Sequence, residues 1–189
     1  MRAKGKNKMN SITKEIIKAT NELNRIKNEQ SYLMYSAVFS ILWQDYQWRE
    51  NRIMRRLADS IDVMRQGIQD DQSIFEVLEA ETGIELTLDG KKSYHEYAFL
   101  SRDTQLKPIN DFQYLHMIRH EQEWIPSVLI GAICIVLHRQ DKWGFNRLST
   151  FVNRVNILRN SLGENKKLYS DYMYEITGHR PEEMWKESN

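Results

Sequence analysis

The segment 145–162 places asparagine, serine, threonine and arginine side chains along one side of a helix. Arginine and asparagine carry forked donors and acceptors that match the edges of guanine and adenine, and arginine, serine and threonine also hold phosphates. The pattern predicts a binding face for nucleic acid, with polar contacts from Arg147, Asn153 and Arg154, although a solvated helix face has the same composition. The stripe consists of Asn146, Ser149, Asn153, Asn156 and Asn160, with Thr150 and the two arginines beside it.

A second basic surface is formed by Arg49, Arg52 and Arg56, which are spaced by three and four residues and so share one helical face. Trp48 lies at its edge, and arginines beside an aromatic ring can hold a phosphate backbone or an acidic patch of a partner. We expect this surface to be a second anchor for nucleic acid or a protein partner. The alternative is pairing along the same helix with nearby acids, which are Glu50, Asp59 and Asp62.

Four side chains have the types and the spacing of a structural zinc site. His116 and His120 are one helical turn apart, and so are Cys134 and His138, so antiparallel packing of two helices would bring four ligands together. The alternative is a cysteine buried as a small hydrophobic residue and a histidine that pairs at a helix end. Structural zinc is therefore an open prediction, and we expect no other cofactor.

The sequence gives little support for catalysis. Residues 116–121 read HMIRHE, which matches neither zinc-protease arrangement, and no glycine-rich phosphate loop or nucleophile elbow is present. Seven acids without a base crowd residues 66–90; they could bind magnesium for a nuclease or hydrolase, or imitate nucleic-acid phosphate. We expect a protein that is not an enzyme, with a metal-dependent nuclease or hydrolase as an alternative.

Composition and charge reduce the number of protein classes to which the chain could belong. The chain has 189 residues and a net charge of +1, so any electrostatic targeting must be local. A single cysteine excludes an internal disulfide framework, and the longest apolar run, residues 128–137, is half of a membrane span. The basic first ten residues do not resemble a secretory signal. We expect no membrane partner and a cytoplasmic location.

Scarce glycine and proline predict a mainly α fold, a multi-helix bundle with long N-terminal helices between residues 6 and 66. Alternating apolar residues around Asp89-Gly90 predict a small β-hairpin insertion near 84–99. A helix over 109–124 is expected to give way to another that starts at Pro126, and further helices are predicted at 145–162 and 168–177. We expect a basic flexible tail at 1–10, a single helical domain at 11–180 and a frayed tail at 181–189.

Two features bear on the oligomeric state. Apolar residues from Ile12 to Ile26 form a seam of two heptads, which predicts either packing within the monomer or a dimeric coiled coil. The tight turn at residues 142–144 makes the last two long helices similar to a helix-turn-helix unit. A helix-turn-helix transcription regulator is therefore an alternative, and it would require a dimer that binds paired half-sites.

The string LHRQDKWGFNRLSTFVNRV at residues 137–155 and the string VLEAETGI at residues 77–84 resemble segments of small helical accessory proteins of Gram-positive phages and prophages. This resemblance implies a mobile-element protein in the cytoplasm of a bacterial host, acting on nucleic acid or on host machinery. The leading hypothesis is a non-enzymatic binding protein that docks on nucleic acid or on a host nucleoprotein complex. Host takeover or anti-defence, such as inhibition of a CRISPR nuclease, would be its purpose.

Overall fold

The structure, a computed structural model, describes the backbone of residues 3–69, 73–86 and 111–184. Side chains are described in these ranges except at 3–13, 15–16, 68–69, 111–121 and 184. The described residues are mainly α-helical, as predicted. The helices are α1 (Ala3–Gln44), α2 (Glu50–Gln69), α3 (Ile74–Thr82), α4 (Asp111–Asp141), α5 (Phe145–Leu162), α6 (Lys166–Thr177) and α7 (Pro181–Met184).

The predicted hairpin near 84–99 falls largely outside the described residues. Residues 83–86, which are described, do not form a strand. The chain also divides into two compact units where the sequence predicted a single domain. One contains α1 up to Asn28 and α4 up to Ile125; the other contains the rest of both helices together with α2, α3, α5, α6 and α7.

The larger unit, residues 29–87 and 126–189, contains the binding surfaces predicted from the sequence. Its core is built on α1, in which every residue from Leu33 to Leu42 except Tyr35 is buried, and on the apolar stretch of α4 from Leu129 to Leu137. Buried hydroxyl groups in α1 are satisfied locally, because Ser40 Oγ donates to the Ser36 carbonyl at 2.8 Å. In the smaller unit, Ala19 and Ile26 of the predicted seam are buried within the chain, while a dimer through the seam stays a prediction.

Glycine ends α3, α5 and α6, whereas α2 continues past Gly67 to Gln69. Gly83 and Gly178 both adopt positive φ, and each amide donates back into the last turn of the preceding helix. Gly131 serves a different purpose in α4, because a Cβ at this position would lie 3.0 Å from Ile74 Cγ2 of α3. The small residue therefore permits close approach of the two helices.

One boundary prediction was wrong, and both predicted tails contain helical residues. Pro126 lies inside the continuous helix α4, rather than opening a new one. Proline lacks one backbone N–H, but the helix continues because the residues on both sides keep the helical conformation. The basic tail is helical from Ala3 onward. Residues 181–184 form the short helix α7, with Pro181 at its first position, where Glu182 accepts from Tyr32 Oη at 2.5 Å and from Ser170 Oγ at 3.2 Å.

Candidate nucleic-acid interface

Helices α1 and α4 end in the same way, and their ends position the candidate site. Gln47 and Lys142 each adopt a positive φ, at 53° and 58°. The tryptophan that follows each of them donates its backbone amide to the carbonyl six residues earlier, at 3.1 Å for Trp48 and 3.2 Å for Trp143. Both turns therefore direct a tryptophan into the protein, and both indole rings are buried.

The two turns meet through these aromatic rings. The Trp48 and Trp143 rings pack edge to face with centroids 5.5 Å apart, and Tyr46 tilts against Trp143 at 4.6 Å. Phe151, from the second turn of α5, contacts Trp143 at 5.7 Å. Aromatic contacts of this geometry stabilise the packing beyond the area that they bury. The first half of α5 is thus fixed against the α1–α2 turn.

Arg147 of α5 lies on this aromatic cluster. Its guanidinium carbon is 4.2 Å from the centroid of Trp143 and 5.2 Å from that of Tyr46, and the residue is exposed. Among the described side chains, no carboxylate forms an ion pair with Arg147. Its charge is therefore oriented by aromatic faces, and no acid in the part of the chain that the structure describes neutralises it.

Arg154, two turns further along α5, is paired. Its Nε donates to Asp45 Oδ2 at 2.7 Å and its Nη2 donates to Asp45 Oδ1 at 3.2 Å. Both side chains remain in contact with solvent, with 47% of the arginine and 24% of the aspartate exposed. The hydrogen bonds that Arg154 donates to Asp45 raise the pKa of Arg154. This is the two-pronged geometry in which arginine binds carboxylate or phosphate.

The four asparagines of the polar stripe on α5 face solvent, as the sequence predicted. The helix contains no acidic residue. Ser149 is half-buried, and Thr150 Oγ1 donates to the Asn146 carbonyl at 2.9 Å. We define the α5 surface as the exposed residues of this face, which are Asn146, Arg147, Thr150, Asn153, Arg154, Asn156 and Asn160.

The arginines of α2 are placed differently. Arg56 Nε donates to Asp141 Oδ2 at 2.7 Å, and Arg52 Nη2 donates to Asp141 Oδ1 at the same distance. Arg56 also donates to Gln140 and, at 3.3 Å, to Asp59, and its side chain is only 13% exposed. The pairing is therefore mainly with the end of α4 and only partly along α2. Arg49 is exposed beside them.

The pKa of Asp141 reflects its contact with Arg52 and Arg56. Burial raises the pKa of the carboxyl, but hydrogen bonds from Arg56 and Arg52 outweigh burial and hold the pKa below its ordinary value. Arg52 also stacks on Trp48, with its guanidinium carbon 3.8 Å from the ring centroid. The charges of Arg52 and Arg56 thus join α2 to α4 within the protein.

Sequence reasoning missed both acids that pair with the predicted arginines, Asp45 and Asp141. It considered acids near in sequence, whereas Asp45 is 109 residues from Arg154 and Asp141 is 85 residues from Arg56. A local signal was present, since Asp45 lies three residues before Trp48 and Asp141 lies two residues before Trp143. The two turns therefore supply counterions as well as rings.

The zinc ligands predicted from the sequence receive no new support. Cys134 is fully buried, and burial raises the pKa of its thiol to about 12, whereas zinc binds the thiolate. His138 Nδ1 donates to the Trp143 carbonyl at 2.9 Å and so braces the α4–α5 turn. The side chains of His116 and His120 lie outside the described residues. Among the described residues, no three metal-ligating side chains cluster.

Part of the acidic segment is described. Glu76, Glu79 and Glu85 are exposed, and Glu81 pairs with Arg139 at 2.6 Å. Asp70, Asp71 and Asp89 lie outside the described residues. The described acids therefore behave as a solvated face and one inter-helix ion pair, and they do not assemble a magnesium site for a nuclease.

Within the described ranges, no helix is long and apolar enough to cross a membrane. Comparison of the chain with models of protein families, with curated proteins and with solved structures finds no match in any of the three.

Proposed function

We propose that the α5 surface is a docking site for nucleic acid and that the protein acts by binding without catalysis. The observation that carries the proposal is Arg147, an exposed guanidinium held on two aromatic rings without a carboxylate partner among the described side chains. Stacking fixes the direction of the side chain while leaving its donors available, and this lowers the entropy lost on binding.

The surroundings of Arg147 support the same proposal. The α5 helix has no acidic side chain to repel phosphate, and exposed amides at Asn146, Asn153, Asn156 and Asn160 can hydrogen-bond to base edges or to sugar and phosphate oxygens. We do not include Arg52 and Arg56 in the surface, because both already form ion pairs with the buried carboxylate of Asp141. Arg49 stays a candidate second contact.

The biological setting is part of the proposal and is supported by the resemblance of residues 137–155 to phage accessory proteins. That segment contains Trp143, Arg147, Asn153 and Arg154, so the residues that carry the resemblance also carry the surface. We propose a mobile-element protein in a bacterial host that docks on nucleic acid, alone or within a host nucleoprotein complex such as a CRISPR nuclease.

The test compares variants of equal charge. Arg147→Ala should weaken binding of a fluorescent random-sequence duplex about tenfold and reduce the salt slope of log K by about 0.9, the value of one phosphate contact. Fluorescence anisotropy at several salt concentrations measures both. Arg65→Ala is the control, because it removes the same charge from an exposed pair with Asp62 on α2.

Equal affinities for Arg147→Ala and the wild type would exclude the α5 surface. A pull-down from bacterial lysate, with and without nuclease treatment, separates direct protein partners from those held through nucleic acid.

The helix-turn-helix regulator remains a second candidate, because α4 and α5 are joined by only three residues, 142–144. It predicts a dimer in sedimentation and preference for a paired half-site over random duplex. A monomer that binds all sequences equally would exclude it.

A further inference from the structure

The pair formed by Arg154 and Asp45 is unusual within the α5 surface, because here an acid from another element reaches into a basic face. The carboxylate meets the guanidinium through two parallel hydrogen bonds, at 2.7 Å and 3.2 Å. A phosphodiester presents its two non-bridging oxygens to arginine in the same way. Asp45 therefore occupies the position that a nucleic-acid phosphate would take.

We infer that Arg154 is a phosphate subsite of the α5 surface and that Asp45 is its internal competitor, an inference that rests on the proposed function. Nearly half of the arginine side chain and about a quarter of the aspartate are exposed. Pairs of this kind are weak, because water and salt screen both charges. A phosphate can replace the carboxylate without unfolding any element.

The position of Asp45 indicates how the exchange occurs. The residue directly follows α1, and its backbone amide is fixed by a 2.9 Å hydrogen bond to the Ile41 carbonyl, so its main chain stays in place when the side chain turns away. Tyr46, the next residue, lies under Arg147. The competitor thus pairs with one arginine of the surface and directly precedes the tyrosine that supports the other, and it lowers the affinity for a phosphate backbone that contacts both.

The inference predicts that losing an acid at this place strengthens binding. Asp45→Asn should bind a random-sequence DNA duplex about two- to fivefold more tightly than the wild type at about 0.1 M salt, because the guanidinium no longer has to give up a charged partner. Glu79→Gln is the matched control, since it removes the same charge from an exposed position on α3 and should leave the affinity unchanged.

A double-mutant comparison separates release of Arg154 from a general change in charge. Asp45→Asn introduced into an Arg154→Ala background should give no gain, because the arginine that it would release is missing. Arg154→Ala alone should weaken binding less in the wild type than in the Asp45→Asn background. Fluorescence anisotropy on the full chain measures all five proteins, with urea unfolding to show that each is folded.

The outcomes distinguish the inference from the function on which it rests. If Arg147→Ala loses binding but Asp45→Asn binds like the wild type, the α5 surface stands and the phosphate subsite is wrong. A gain that persists without Arg154, or that Glu79→Gln reproduces, also overturns the subsite. If neither the wild type nor Asp45→Asn binds nucleic acid, the proposed function fails and the inference fails with it.

Discussion

The arginines of α2 and those of α5 look alike in the sequence and differ in the folded protein. Arg52 and Arg56 converge on a single carboxylate that is only 4% exposed, whereas Arg147 meets aromatic rings and Arg154 meets an exposed acid. The first pair closes an inter-helix contact, and the second leaves charge at the surface. A run of arginines therefore indicates a binding face only where no other element brings an acid that is shielded from water.

The largest effect is expected from removal of Asp141, the acid that Arg52 and Arg56 share. Asp141→Asn leaves two arginines, one of them largely buried, without their counterion, and we expect the free energy of unfolding to fall by about 2 kcal/mol. Asp45→Asn, which removes the exposed partner on the other surface, should cost less than about 1 kcal/mol. Urea denaturation of both variants measures the difference. Equal losses would contradict the distinction between a structural and a surface ion pair.

Lowering the pH should reduce the difference in unfolding free energy between the wild type and Asp141→Asn. Hydrogen bonds from the arginines hold the pKa of Asp141 below its ordinary value of 3.8 despite burial, so the stabilisation is present above that value and is lost as the pH falls through the lowered pKa. The unfolding free energies of the two proteins should converge below about pH 4. Urea unfolding at pH 7, 5 and 3 measures this, and a constant gap would show that the charge of Asp141 is not what stabilises the fold.

The smallest effect is expected from a conservative substitution of one of the α2 arginines. Arg52→Lys keeps the charge opposite Asp141 but loses the planar contact with Trp48, so we expect a loss of about 0.5–1 kcal/mol in stability. Its affinity for nucleic acid should equal that of the wild type, as measured by anisotropy. Weaker binding by this variant would return the α2 arginines to the docking surface.

Local patterns in the sequence predicted the helices that depend on local chemistry. The bounds predicted for α5 and the end predicted for α6 agree with the structure, and they follow from apolar periodicity and from the positive φ that the glycine after each helix adopts. Pro126 misled the prediction because the cost of one missing amide is offset by burial of the apolar stretch of α4 from Leu129 to Leu137.

The candidate site was only half predictable for a related reason. Exposure of the asparagine stripe follows from its spacing on one helix. The roles of Arg56 and Arg154 depend on Asp141 and Asp45, which reach them only through the tertiary fold. One of the two rings beneath Arg147 likewise comes from Tyr46, 101 positions earlier in the chain, while the nearer ring, Trp143, is only four positions away.

The meeting of Trp48 and Trp143 has a consequence for any transplant of this region to another scaffold. Each indole forms part of the wall that encloses the other, so neither turn can be lengthened or exchanged by itself without opening a gap beside its neighbour. The smallest unit that could be transferred is therefore not α5 alone but the two turns after α1 and α4 together with the adjoining helix ends. In this protein α5 and the α1–α2 turn that supports it form one packing unit.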